Sequence, residues 1–346
     1  MKLGLLSTAN INEKLVAGAR LVDEVDVAAV ASRSLDRATE QASALGIPRA
    51  LGSYEELLAD PEVDAVYISL PNSMHVDWSV RALEAGKHVL CEKPLARSVE
   101  PVERAFDAAD AAGRVLAEAF MWRHHPQAER LVELLPRVGE LRVVRAQFSF
   151  ALDSLDPASN IRLSAELEGG ALMDVGCYCV SAARLVAGEP VAVTAQQVVG
   201  EVDVRFAATM SMPDDVLAHF DCGVDTADRA ELEVVGSEGA LLLRDPFHAN
   251  EPVIEVRGAD GSVERVEVEA DNPYACELRD FAAAAAGERS PRLGRGDAVG
   301  QARAIAALYE SAAGGARGRL DPLVRGRGRV GIGLGERDER RDCEDR

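Results

Sequence analysis

The chain has 346 residues, 47% hydrophobic and 28% charged, which suffices for the buried cores of about two domains and excludes a disordered chain. Acidic side chains outnumber basic ones 58 to 38, and a net charge of −20 repels polyphosphate backbones and anionic bilayers, so neither nucleic acid nor membrane is an expected partner. No apolar run reaches the ~18 residues of a membrane span, Leu3 to Leu6 is too short for a signal-peptide core, and six cysteines are too sparse for a disulfide scaffold. The expectation is a soluble, reduced, cytoplasmic protein.

The first 120 residues alternate short apolar runs with helical patterns. Strands are predicted at 3–6, 25–31, 65–69, 88–91 and 115–119, and helices at 12–20, 35–45, 54–58, 75–85 and 99–112. Such alternation implies a parallel, doubly wound sheet covered on both faces, with ligands beyond the carboxyl ends of its strands. After Trp122 the rhythm changes. A helix at 127–134 leads into longer alternating strands at 143–150, 191–199, 204–211, 216–222, 231–235, 240–244 and 253–256, with helices near 177–186, 274–286 and 298–311. That pattern reads as an α+β domain with a large, mainly antiparallel open sheet. The predicted division is a dinucleotide-binding Rossmann domain over 1–122, a substrate-binding and oligomerisation domain over 123–316, and an Arg/Gly-rich tail over 317–346. The tail holds nine arginines against seven acids, a local +2 that leaves −22 on the rest, and it reads as disordered.

Chemistry is expected at the strand ends. The first turn runs Ser7-Thr8-Ala9-Asn10-Ile11-Asn12, where a dinucleotide fingerprint would place glycines at 7, 9 and 12. Small Ser7 and Ala9 still permit a close backbone approach, and Asn12 can cap the following helix. The second strand ends in Ala31-Ser32-Arg33. NAD-preferring sites usually offer a carboxylate there, so a hydroxyl and a guanidinium favour NADP over NAD. Leu70-Pro71-Asn72-x-x-His75 breaks one buried strand, and Cys91-Glu92-Lys93-Pro94 ends the next. A lysine at such an edge can stabilise charge developing on a substrate oxygen. Asp174 and Tyr178, four apart behind Gly169-Gly170, share one helix face. A tyrosine is a poor base at neutral pH unless a cation favours its phenolate, which makes Lys93 and Tyr178 a sensible pair. Asp245-Pro246-Phe247 reads as a structural turn. His124-His125 and Cys177-x-Cys179 lack the further ligands of a metal site.

The stretch from Ala85 to Leu95, with Pro71-Asn72-x-x-His75, closely resembles the glucose–fructose oxidoreductase/inositol dehydrogenase (Gfo/Idh/MocA) family over about residues 2–313. The resemblance implies that Glu92-Lys93-Pro94 is the family's signature tripeptide, with Lys93 in the active site and Asn72 and His75 lining the cofactor. Glu118-Ala119-Phe120-Met121-Trp122-Arg123-His124-His125-Pro126 is similar to its xylose dehydrogenase and dimeric dihydrodiol dehydrogenase branch, which implies a sugar pocket with Trp122, Arg123 and His125. Asp174-x-x-x-Tyr178 is similar to the family's Asp-x-x-x-His/Tyr motif, and Asn160-x-Arg162 to a cofactor- or substrate-facing pair.

The resulting expectation is an NADP-dependent oxidoreductase, with NAD as the alternative cofactor, acting on a sugar or cyclic polyol as an aldose 1-dehydrogenase or trans-dihydrodiol dehydrogenase. Lys93, Tyr178 and Asp174 are the expected catalytic residues. The cofactor is expected against Ser7 to Ile11, Ser32, Arg33, Leu70, Pro71, Asn72, His75, Glu92, Lys93 and Arg162, with no metal. The substrate is expected against Trp122, Arg123, His125, Asp174 and Tyr178. A homodimer or dimer of dimers through the second sheet is the expected assembly. The rival readings are a keto-sugar reductase and a non-catalytic regulator of the same fold.

Overall fold

The computed structural model describes residues 1–158 and 160–314, which belong to one compact unit; the Arg/Gly-rich tail lies outside them. The first half alternates β1 (Lys2–Leu6), α1 (Ile11–Ala19), β2 (Asp26–Ala31), α2 (Leu35–Leu45), β3 (Ala50–Leu51), α3 (Tyr54–Ala59), β4 (Ala65–Ile68), α4 (His75–Glu84), β5 (His88–Glu92), α5 (Val99–Ala112) and β6 (Leu116–Ala119). All strand pairs are parallel and the order is β3-β2-β1-β4-β5-β6, so the chain reverses its winding between β1 and β4. A doubly wound sheet opens its ligand crevice at that reversal. Helices on both sides leave β4 buried along its whole length, which is why it reads as a continuous apolar run.

A short turn (Met121–His124) carries the chain out of β6 into α6 (Pro126–Leu134) and β7 (Leu141–Ala151). A single π-helical turn, Leu172–Gly176, runs into α7 (Cys177–Ala187). Then come β8 (Ala192–Val199), β9 (Asp203–Ser211), β10 (Leu217–Gly223), β11 (Asp225–Gly236), β12 (Gly239–Leu243), β13 (Val253–Gly258), β14 (Val263–Glu267), α8 (Pro273–Ala285) and α9 (Arg295–Gly314). Among the described residues these strands form an eight-stranded sheet in the order β14-β13-β12-β11-β7-β10-β9-β8, antiparallel except where β10 lies parallel to β7. One face is apolar at every second residue, through Phe206, Ala208 and Met210 on β9 and Ala218, Phe220 and Cys222 on β10. α7 covers this face, buried along almost its whole length. One hydrophobic cluster runs from Leu5 and Tyr67 through Phe120 to Phe148 and Phe220, so the two sheets are joined by a shared core. No helix among the described residues is long and apolar enough to cross a membrane.

Candidate active site

A cavity of about 1030 Å³ opens at the reversal point. Its floor is the carboxyl edge of the parallel sheet: the turn Thr8 to Ile11 after β1, Ser69 to Asn72 after β4, and Glu92-Lys93 at the end of β5. Its roof comes from the second sheet, the π-helical turn with α7, and α8, through Phe148, Asp174, Tyr178 and Tyr274. Lys14 of α1 and Arg37 of α2 bring cations to its walls, and Arg229, Arg244 and the turn Asp245 to Asn250 contribute polar groups from the second sheet.

Lys93 spans floor and roof. Its Nζ donates to the main-chain carbonyl of Asp174 at 2.7 Å and lies 3.5 Å from Asp174 Oδ1. Arg162 Nε donates to the other carboxylate oxygen of Asp174 at 2.8 Å. Burial opposes the Lys93 charge, but Cys177, Asp174 and Glu92 outweigh it and leave the ammonium held above its ordinary pKa. Behind it, the Tyr67 hydroxyl donates to the Glu92 carboxylate. Burial nevertheless raises the Glu92 pKa despite the adjacent Lys93 and the Tyr67 bond.

The ring of Tyr178 is packed edge-on by Phe120 and Phe148, at 5.4 and 5.3 Å between centroids, and meets Phe247 at 5.4 Å. Its hydroxyl lies 3.8 Å from Met121 Sδ. Lys93 Nζ sits 4.8 Å from the centre of the ring. The sequence suggested that this ammonium would lower the phenol pKa. The structure reverses that: burial, with Glu92, Cys177 and Asp174 adding to it, pushes the phenol well above 10. The ammonium faces the ring and is matched by Asp174, so the phenol is protonated at neutral pH.

The element bearing Asp174 and Tyr178 is itself anchored. Asp203, buried at the start of β9, accepts from Leu172 N at 2.7 Å and from Tyr309 Oη at 2.8 Å. Gly170 turns there with φ 124°, and a Cβ would lie 2.2 Å from Asp203 Oδ1, so only glycine fits. A carboxylate at a helix entry also suits the local dipole.

Residues 4–120 match the family described as an oxidoreductase family with an NAD-binding Rossmann fold, and residues 135–242 match the GFO/IDH/MocA C-terminal domain. The chain belongs to the GFO/IDH/MocA oxidoreductase family. It is 40% identical over 327 residues to D-xylose 1-dehydrogenase (NADP(+)) 2 of Haloferax volcanii, which covers 93% of this chain and all of that one. It is 37% identical to a trans-1,2-dihydrobenzene-1,2-diol dehydrogenase of Xenopus laevis over 59% of this chain and 62% of that protein. The structure of KijD10, a 3-ketoreductase of Actinomadura kijaniata in complex with NADP and TDP-benzene, superposes with a TM-score of 0.83 at 32% identity, covering 90% and 97% of the two chains.

Within this GFO/IDH/MocA fold the expected site residues fall into two groups. Thr8, Ala9, Asn10, Ile11, Leu70, Pro71, Asn72, His75, Glu92, Lys93, Arg162, Asp174 and Tyr178 all line the cavity. Two of them also brace it. Asn72 Nδ2 donates to Glu168 O at 2.8 Å, joining floor to roof. The buried His75 ring lies between Leu70 O and Pro94 O, at 2.8 and 2.9 Å, and burial lowers its pKa.

The second group lies elsewhere. Trp122 is 2% exposed and packs edge-on against Phe247, Arg123 bonds to Ser181 Oγ and Asp297, and His125 accepts from Gln127 N to cap α6. These three stand behind the cavity wall, because the turn after β12 and the α8–α9 region cover the stretch that follows β6. Ser7 is buried beneath its turn, Ser32 is buried, and Arg33 sits beside Tyr54 rather than on the cavity wall. Sequence reasoning missed Lys14, Arg37, Phe148, Arg229 and Arg244, and read Asp245-Pro246-Phe247 as purely structural. Arg37 had a local signal, a cation in the first turn of the helix after β2. Lys14 had the same kind of signal, a cation in the opening turn of the helix after β1, whereas Phe148, Arg229 and Arg244 meet the site only through the order of the second sheet.

Proposed function

We propose that the chain is an NADP-dependent oxidoreductase that interconverts an alcohol and a carbonyl on a sugar or related polyol. The observation that carries this reading is the placement of Lys93, Asp174 and Tyr178 in the same cavity as the β1–α1 turn. The residues fit a phosphorylated dinucleotide. The turn after β1 is small at Ala9, Lys14 and Arg37 supply cations, and β2 ends without a carboxylate. The cavity volume is at the top of the usual ligand range, enough for a cofactor and a small substrate together. The relatives support the same choice, one being named for NADP(+) and another solved with NADP.

When bound, the nicotinamide donates or accepts the hydride. The chain supplies the rest. Lys93 holds positive charge beside the reacting oxygen and stabilises the negative charge that develops there, while Asp174 and Arg162 keep its ammonium in position. Tyr178 gives its hydroxyl proton to that oxygen in the reducing direction and takes it back in the oxidising one. Phe148, Phe120 and Phe247 exclude water around the phenol. A second reading, a keto-sugar reductase, starts from the same phenol, and the likeness to KijD10, a 3-ketoreductase, supports it.

Lys93→Ala tests the assignment. Turnover is expected to fall by a factor of about 10²–10⁴, with NADPH affinity, read by fluorescence, largely retained. Unchanged turnover would remove Lys93 from the mechanism.

A further inference from the structure

The turn after β1 lacks the glycines of a dinucleotide fingerprint, and a polar network occupies their place. Ser7 adopts φ 138°, a backbone region that side chains rarely enter. Its Oγ donates to Ser69 O at 2.9 Å and accepts from Ala9 N at 3.1 Å. Asn12, with no exposed surface, donates from Nδ2 to Ser7 O and to Gln41 Oε1, both at 2.8 Å, and accepts from Ser69 Oγ at 2.8 Å. Gln41 then reaches back, its Nε2 donating to Ala9 O at 3.2 Å. The side-chain amides of Asn12 and Gln41 are therefore bonded at both ends, which fixes their orientation.

The network joins the phosphate-side turn to α2. That helix buries only Ala38 and Ala42, so apolar packing pins its position weakly. Gln41 lies four residues after Arg37, on the same helical face, and Arg37 lines the cavity. We propose that Gln41 is a specificity-determining positioning residue: through Asn12 and Ala9 it sets the distance from the β1–α1 turn to Arg37 and so favours a 2′-phosphorylated dinucleotide over the unphosphorylated one. The inference rests on the NADP reading above. An unphosphorylated dinucleotide makes no demand on Arg37, so its binding is insensitive to small movements of α2.

The test uses the full chain and binding alone, with NADPH and NADH fluorescence titrations of wild type, Gln41→Leu, Arg37→Ala and the double variant. Gln41 is only partly buried, and leucine keeps its bulk while removing both bonds. Gln41→Leu is expected to weaken NADPH binding about tenfold and leave NADH within about twofold. In the double variant NADPH binding should be no weaker than in Arg37→Ala, because the two residues act through one contact. Equal losses for both dinucleotides, unchanged NADPH affinity, or additive losses in the double variant would overturn the proposal while leaving the oxidoreductase reading intact. Wild-type protein that binds NADPH no better than NADH would instead overturn the NADP reading and this inference with it.

Discussion

Lys93 Nζ donates to the backbone carbonyl of Asp174 at 2.7 Å, a bond from the edge of the parallel sheet to the π-turn that leads into α7. A main-chain acceptor does not titrate, and the Asp174 carboxylate and Glu92 hold the ammonium charged. Lys93 therefore contributes no change of charge across the neutral range, and in the proposed mechanism the pH dependence of proton transfer falls on Tyr178.

Burial raises the Tyr178 pKa well above 10, so at neutral pH the phenol dominates and the phenolate is rare. Oxidation consumes the phenolate, so its rate should climb with pH from neutral into the alkaline range. Reduction consumes the phenol and should stay flat over the same interval. Tyr178→Phe should lower kcat by a factor of about 10²–10⁴ in both directions. A pH-independent oxidation rate, or full activity in Tyr178→Phe, would remove the tyrosine from the proton transfer.

Arg37 lines the cavity and Arg33 does not. A hydrogen bond to a charged group contributes about 1.5–3 kcal/mol, or roughly ten- to a hundred-fold in affinity. Arg37→Ala should therefore weaken NADPH by roughly that factor with little effect on NADH, whereas Arg33→Ala should change both by less than about threefold. Parallel fluorescence titrations decide the matter, and a larger effect from Arg33 would restore the reading made from the end of β2.

Local signals account for what was legible in the sequence. The predicted bounds of α2 match the structure because Ser34 caps its start and Gly46, at φ 66°, ends it. Lys93 and Asn72 were legible because prolines break the chain beside them at the strand ends. β3, with two residues, and β14, whose Val-Glu-Arg-Val-Glu is mostly exposed, left too little apolar periodicity to find. The parallel pairing of β10 with β7 depends on sheet order rather than on either strand. Trp122, Arg123 and His125 were misplaced for the same reason, since Phe247, Asp271 and Asp297 lie more than a hundred residues further along the chain.

Glu118 on β6 offers a stability test separate from catalysis. It is 1% exposed, Oε1 accepts from Leu95 N at 2.8 Å, and burial pushes its pKa from 4.5 to about 8. The folded state therefore binds this proton more tightly than the unfolded one. The carboxyl costs nothing below about pH 4.5, progressively more as the pH rises, and its full amount above about 8. Glu118→Gln mimics the neutral acid and should remove that cost. Its melting temperature should match wild type near pH 4.5 and exceed it at pH 9 by several degrees, corresponding to a few kcal/mol at about 1.4 kcal/mol per pKa unit. A difference that does not vary with pH would show that Glu118 titrates in the fold as it does in the unfolded chain.

Under the proposed function, Lys93, Asp174 and Tyr178 act together on a polyol beside bound NADP. The most direct measurement is NADPH formation by the wild-type protein with NADP⁺ across a panel of aldoses, inositols and trans-dihydrodiols. At least one of these substrates should give NADPH turnover that Lys93→Ala lowers by a factor of about 10²–10⁴. Tight NADP⁺ binding with no turnover on any substrate, and no NADPH consumption with the matching keto sugars, would contradict the account and leave a cofactor-binding regulator in its place.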